Sequence, residues 1–288
     1  MSDTTAAAPL LDVQDVSLQI GGLHILRGIT FDVKPDEFFT VIGPNGAGKT
    51  SLLNVLSRIY QPTGGSVFFE GRPLLEEKRT ALASLGIART FQNLALFEDM
   101  DVMDNVVLGR HRLMHAGVIT GAAWFGRARR EETIARQACE PLIDLMGLGD
   151  YLRRPIRDLP YGIKKRIELA RALAVEPRLL LLDEPAAGMN DEETDDLADW
   201  ILTAKRELGL TVVMIEHDMG MVTRLGDRSL VLDFGTTITI ESPRVAISDP
   251  RVISAYLGDD SDDIDDPTVT GNIALKIPQG LRRKGKKR

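Results

Sequence analysis

The sequence predicts an α/β protein: a mainly parallel sheet covered by helices, an antiparallel β part at the N-terminus and an inserted helical lobe. Three observations lead there. From residue 161 onward, short apolar runs alternate with segments of helical period, the pattern of parallel strands joined by crossover helices. Residues 11–33 carry two strand patterns in succession with no helix between them. Residues 97–156 show apolar positions at helical spacing and no strand pattern.

Taken in order, Leu11, Val13, Val16, Leu18 and Ile20 mark a half-buried strand over 11–20, and a second strand follows over 25–33. Residues 38–42 are apolar except for Thr40 and run into glycine, as a buried strand feeding a loop does. A helix is expected over 50–59, a hairpin arm over 67–71, a helix over 78–85 and a strand over 86–91. In the lobe, helices are expected over 101–112 and 127–146, the second on Ile134, Ala138, Leu142 and Leu145, with Pro141 kinking or breaking it. Then come helix 161–174, strand 179–183, helix 191–208, strand 211–216, helix 218–225 and strands 229–233 and 236–240. Pro250 starts a short helix ending near Leu257. The domain is expected to span 1–258, and 259–288 to be a disordered, acidic-then-basic tail.

Composition excludes several classes. With 43% apolar and 27% charged residues, the 288-residue chain is neither collagen-like nor largely disordered. Its longest apolar runs fall far short of the ~20 residues that cross a bilayer, and the N-terminus lacks the basic-then-apolar layout of a secretory signal. The single Cys139 allows no internal disulfide, in keeping with a reducing compartment. Net charge is −7; from Gly258 onward six Asp face seven Lys and Arg, leaving residues 1–257 at −8. An acidic body argues against nucleic acid as a partner, because phosphate neutralisation needs clustered bases.

The chemistry concentrates in two places. Gly43, Pro44, Asn45, Gly46, Ala47, Gly48, Lys49 and Thr50 fit G-x-x-x-x-G-K-[ST], between a strand and a helix that continues through Ser51. Glycines let backbone N–H groups curl around phosphate oxygens, and the helix N-terminus adds positive potential. Lys49 is suited to the β- and γ-phosphates, and the Thr50 hydroxyl to Mg²⁺. This pattern implies a nucleoside triphosphate site. The second place is the run Leu179 to Leu182 ending in Asp183 and Glu184. A strand that ends in carboxylates delivers Asp183 to a metal's water shell and leaves Glu184 to polarise water.

Leu159, Pro160, Tyr161, Gly162 and Ile163, with Gly162 standing 21 residues before Asp183, resemble the signature motif of ABC-type ATPases. With Gln92 in Arg89-Thr90-Phe91-Gln92-Asn93 and His217 after strand 211–216, the ordered set of that family is present over residues 10–258. The passages IGPNGAGKTSLLNVLSRIYQPTGG, LLLLDEPAAGMN and DPRVISAYLG look most like the ATP-binding subunit of branched-chain (Liv-type) amino acid transporters. The resemblance implies a P-loop NTPase fold of ABC type that binds ATP and Mg²⁺ and powers an importer. The implied partners are a second, related ATP-binding subunit, two membrane permease subunits and, indirectly, a solute-binding protein. The implied place is the cytoplasmic face of the membrane, held there through the permease. Urea, amide or lipid-related cargo stays open at this point, because such a subunit does not touch cargo.

The same resemblance assigns roles. Glu184 is the base; Gln92 senses the γ-phosphate and metal; His217 bonds the γ-phosphate; Thr50, Gln92 and, through water, Asp183 serve Mg²⁺. The signature segment contacts ATP held by the opposite subunit. Gly188, Met189 and Asn190 form the D-loop, where Asn190 is equally a helix N-cap. Three departures stand out. Pro160 and Ile163 replace the usual Ser and Gln of the signature, and Ile20 occupies the place of an adenine-stacking aromatic ring. Trp124 and Phe125 are expected to pack the lobe, Trp200 to lie in core or groove, and Cys139 to be a buried small residue.

Overall fold

The computed structural model describes residues 8–90, 95–113 and 127–257. The chain forms β1 (Leu11–Ile20), β2 (Leu23–Val33), β3 (Phe38–Ile42), α1 (Lys49–Leu56), β4 (Gly64–Phe69), β5 (Arg72–Pro73) and β6 (Ile87–Arg89). Helices α2 (Val102–Gly109), α3 (Arg127–Leu145) and α4 (Tyr161–Leu173) follow. The last part holds β7 (Leu179–Asp183), α5 (Asp191–Leu208), β8 (Thr211–Ile215) and α6 (Met219–Leu225), then β9 (Arg228–Asp233), β10 (Thr236–Glu241), α7 (Pro243–Ala246) and α8 (Pro250–Leu257).

Two sheets result. The first is antiparallel in the order β2-β1-β4-β5. In β1 the buried set changes parity from Leu11 and Val13 to Val16 and Leu18, which an unbroken strand of period two cannot do. A bulge makes the change: the register shifts between Val13 and Val16, Asp15 takes φ 51°, and Thr30 Oγ1 accepts the Asp15 N–H at 2.9 Å. The second sheet runs β10-β9-β3-β8-β7-β6, parallel except for β10. Every residue of β3, β7 and β8 is buried, as expected where both sheet faces are covered.

The core has two main layers. One joins the sheets around α1, with the Phe31 and Phe39 rings stacked at 5.1 Å. The other packs α4, α5 and the lobe helices on the opposite face, through Val102, Val106, Ile143, Ile167, Leu197 and Ile201.

Three sequence expectations need correction. Residues 78–85 form only a 3₁₀ turn over Arg79–Ala81 and further tight turns. Only Leu82 and Leu85 reach the apolar layer, and the tight turn closed by the Leu85 N–H on Leu82 O at 3.1 Å brings both there without a full α-helix. Of the kink or break expected at Pro141, the break does not occur: helix α3 continues through it. Pro141 lies on the exposed side, where water can satisfy the carbonyl its ring deprives of a donor. Meanwhile Ala135, Cys139, Leu142, Ile143 and Met146 hold the opposite face in the core. Ile134, expected on that face, is exposed. Sequence reading also missed the two-residue β5 and the single-turn α7, both below the length at which periodicity is visible.

Between Phe97 and Ile156 the named elements of the described residues are all helical, apart from one isolated bridge between Asp101 and Pro155. The Trp200 ring lies half-buried under the Arg166 guanidinium at 4.6 Å. Cys139 is fully buried, and burial pushes its thiol up to about 11, which leaves it inert near neutral pH. Trp124, Phe125 and the tail from 258 lie outside the described residues.

Candidate nucleotide site

Because β3, β7, β8 and β6 are parallel, their carboxyl ends open onto one edge of the sheet. That edge receives the Gly43 loop after β3, Asp183 and Glu184 at the end of β7, and Glu216 and His217 after β8. The carboxyl edge is where open α/β sheets hold ligands.

The loop from Gly43 to Gly48 is shaped by close backbone approach. At Gly43 a Cβ would stand 2.1 Å from the Leu232 carbonyl oxygen, so only glycine fits. Gly46 differs: its φ is +83°, and a Cβ there would meet nothing within 4 Å, leaving its backbone face open. Helix α1 starts at Lys49 with no side-chain cap and no acid in its first turn. Its first-turn N–H groups, which have no intrahelical acceptor, thus point toward where an anion can sit. Lys49 is buried and donates through Nζ to the carbonyls of Gly43 at 2.7 Å and Pro44 at 2.9 Å. Burial lowers its pKa, and the nearby Glu184 carboxylate opposes that shift. Thr50 and Asn45 are exposed, and Ser51 is half-buried.

The loop is braced from behind. Gly235, in the turn between β9 and β10, donates to the Ala47 carbonyl at 3.1 Å and accepts from Arg27 N–H at 2.8 Å. This ties loop, turn and antiparallel sheet together. At Gly235 φ is +77° and a Cβ would lie 2.2 Å from the Ile25 carbonyl oxygen. Gly235→Ala is therefore expected to lower stability by about 1–3 kcal/mol, read as an earlier urea midpoint. An unchanged midpoint would show that the turn yields freely.

Asp183 and Glu184 have separate environments. One Asp183 oxygen, Oδ2, pairs with Arg89 Nη2 at 2.7 Å, with both side chains nearly buried. The other, Oδ1, is buried with no hydrogen-bond partner. Glu184 takes φ 47°, a strained conformation for a non-glycine residue of the kind that clusters at functional sites. Its N–H donates to Ile215 O at 3.0 Å, which fixes it to the end of β8. Its Oε1 lies 2.8 Å from His217 Nε2. His217 directly precedes Asp218, which caps α6 by accepting the Met221 N–H at 2.6 Å.

The signature and D-loop segments meet each other. Pro160 is the N-cap of α4. Tyr161 OH donates to Ala187 O at 3.0 Å. A Cβ on Gly162 would lie 3.8 Å from Met189 Cε. Leu159 is buried in the core and Ile163 packs against it. Asn190 caps α5 in a reciprocal box: its side chain accepts the Glu193 N–H at 2.9 Å, and Glu193 Oε2 accepts the Asn190 N–H at 3.2 Å. Ile20 ends β1 opposite Leu23 and is 46% exposed. Gln92 lies outside the described residues.

Three polar side chains at this edge went unread in the sequence. Arg89, quoted there only as a neighbour of Gln92, also donates to Asn54 Oδ1 of α1 at 2.8 Å, besides holding Asp183. Glu216 is buried and accepts three backbone N–H groups. Tyr256 of α8 brings its phenol near the Gly43 N–H, whose influence opposes the burial that pushes the phenol up to about 12. Only the topology shows that Arg89 meets Asp183 and that Glu216 reaches Ala186, since the members of each pair stand far apart in sequence.

A strand-loop-helix phosphate cradle facing carboxylate-ended strands defines a P-loop nucleotide-binding protein. The ABC transporter family model matches residues 26–187, and the chain belongs to that family. It is 36% identical over 251 residues to the high-affinity branched-chain amino acid transport ATP-binding protein BraF of Pseudomonas aeruginosa, covering 87% of this chain and 98% of BraF. It is 35% identical, with the same coverage, to LivG of Escherichia coli strain K12, which bears the same description. Among solved structures it resembles a nucleotide-free ATP-binding cassette from an ABC transporter, with TM-score 0.76, 25% identity and coverage of 87% and 100% of the two chains. The ADP conformation of an ABC transporter cassette gives TM-score 0.76 at 25% identity, covering 88% and 100%. No helix among the described residues is long and apolar enough to cross a membrane.

Proposed function

We propose that this chain binds and hydrolyses ATP to power an importer of branched-chain amino acids. It works at the cytoplasmic face of the membrane beside a second, related ATP-binding subunit and two permease subunits that receive cargo from a solute-binding protein. The observation that carries the hydrolytic part is the Glu184–His217 contact at 2.8 Å on the edge that also holds Lys49. The relatives BraF and LivG, matched over nearly their full length, support the cargo.

In this reading Gly43, Gly46, Gly48 and the α1 N-terminus cradle the phosphates, with Pro44, Asn45, Ala47, Thr50 and Ser51 shaping the loop. Lys49 exchanges its two loop carbonyls for β- and γ-phosphate oxygens. Glu184 takes the proton of the water that attacks the γ-phosphorus, as the bond to the ADP oxygen breaks. His217 bonds the γ-phosphate and keeps Glu184 aimed. Among the described residues no group of three or more His, Cys, Asp or Glu forms a direct metal cage. The unpartnered Asp183 Oδ1 and the exposed Thr50 hydroxyl suit Mg²⁺ held partly through water, with Gln92 as a further ligand. Bound there, Mg²⁺ would neutralise phosphate charge. Of the signature segment, Pro160, Tyr161 and Gly162 face ATP in the partner subunit, while Leu159 and Ile163 anchor it in the core; Gly188, Met189 and Asn190 link that segment to Glu184.

Deleting the gene tests the cargo: uptake of labelled leucine, isoleucine and valine should fall to background. Unchanged uptake of these with lost urea or amide uptake would contradict it. Ile20→Tyr tests the base contact. Stacking by the new ring should favour ATP over GTP by about 1 kcal/mol in equilibrium binding. An unchanged ATP-to-GTP ratio would show that residue 20 does not meet the base.

A further inference from the structure

Glu216 is a carboxylate with no assigned role in the hydrolytic chemistry, yet it is only 4% exposed. Its two oxygens are fully engaged by backbone. Oε1 accepts the Ala186 N–H at 2.9 Å. Oε2 accepts the His217 N–H at 2.8 Å and the Asp218 N–H at 3.3 Å. Ala186 stands two residues after Glu184, and His217 carries the ring that touches Glu184 at 2.8 Å. One buried carboxylate therefore bridges the backbone on both sides of that contact.

We propose that Glu216 is a positioning residue that fixes the distance between Glu184 and His217. The choice of group fits the task. Three N–H groups offer only protons, and an ionised carboxylate offers only acceptors, so every pairing is favourable and charge-assisted. A glutamine at 216 keeps the shape but turns an NH₂ toward at least one N–H, which leaves donors facing each other. An aspartate keeps the charge but is one methylene shorter. It still serves its neighbours His217 and Asp218, and loses the reach to Ala186. The Glu184 N–H would stay on Ile215 O, but the turn after it, strained at φ 47°, would be free to shift and carry the Glu184 side chain away from the His217 ring.

This inference rests on the hydrolytic reading of Glu184 and His217 for its effect on turnover, and its test separates the two. In the full-length chain, the ring resonance of His217 is followed by NMR in four proteins: wild type, Glu184→Gln, Glu216→Asp and the double variant. Glu184→Gln should shift that resonance clearly in the wild-type background and far less in the Glu216→Asp background, where the two groups have parted. An equal shift in both backgrounds overturns the proposal, whatever the turnover does. With permease and partner subunit supplied, Glu216→Gln and Glu216→Asp should each lower kcat by about 10–100-fold and leave KM for ATP nearly unchanged. A merely structural role would lower the unfolding midpoint without splitting kcat from KM. Wild-type kcat in Glu216→Asp, where Glu184→Gln has lost its turnover, also overturns the proposal. Should Glu184→Gln itself turn over normally while the NMR coupling behaves as stated, the hydrolytic reading fails and the positioning role stands.

Discussion

Replacing Glu184 by Gln is expected to lower multi-turnover ATP hydrolysis by about 10²–10⁴-fold, equivalent to about 3–5 kcal/mol of transition-state stabilisation, while ATP still binds. The change keeps the size of the side chain and a hydrogen-bonding partner for His217 Nε2, 2.8 Å away in the native protein. It removes the one property that proton abstraction needs, an ionised oxygen. Lys49 would lose a neighbouring negative charge that raises its pKa, which leaves its phosphate-binding role in place. Phosphate release with permease and partner supplied, set against equilibrium ATP binding, separates the two steps. Wild-type turnover would remove Glu184 as the base.

Lys49→Met should act at the earlier step. The side chain keeps its length and apolar stem, so the loop retains most of its packing, but the ammonium that bonds the Gly43 and Pro44 carbonyls is gone. A charge-assisted hydrogen bond to phosphate contributes about 1.5–3 kcal/mol, so ATP affinity should fall by about 10–100-fold. Hydrolysis should fall further, since negative charge shifts during phosphoryl transfer. Titration with a fluorescent ATP analogue reads the first effect. ATP binding as tight as wild type would place the phosphates elsewhere than this loop.

Much of this was legible in the sequence because it is local. A G-x-x-x-x-G-K-[ST] run between a strand and a helix fixes the cradle, and Leu179 to Asp183 announces its own burial by four consecutive leucines. Helix α5 was read to the residue, since Asn190 and Gly209 mark its two ends with a capping box and a left-handed C-cap. Contacts between distant parts of the chain were not legible. Nothing local says that Arg89 pairs with Asp183 or that Glu216 reaches Ala186; parallel strand order brings them together. The errors have the same origin. Whether residues 78–85 coil as α or 3₁₀, and whether a helix passes through Pro141, depends on what the neighbouring core and solvent supply. Asn190 shows a residue whose local role, the cap, is plain in the geometry, while its role toward a second subunit belongs to an assembly of two chains.

The central claim is that this chain supplies half of each hydrolytic site, its phosphate loop and Glu184 completed by the Gly162 segment of another subunit. ATP-dependent association of the Glu184→Gln protein, followed by light scattering with the native partner subunit and permease present, tests it most directly. ATP should drive a stable closed pair, because binding is retained and the hydrolysis that reopens it is blocked. Gly162→Asp, with the equivalent change in the partner, should abolish that pair, since a carboxylate there would meet the γ-phosphate with like charge. Tight ATP binding with no ATP-dependent association, or association indifferent to Gly162→Asp, would contradict the two-subunit site.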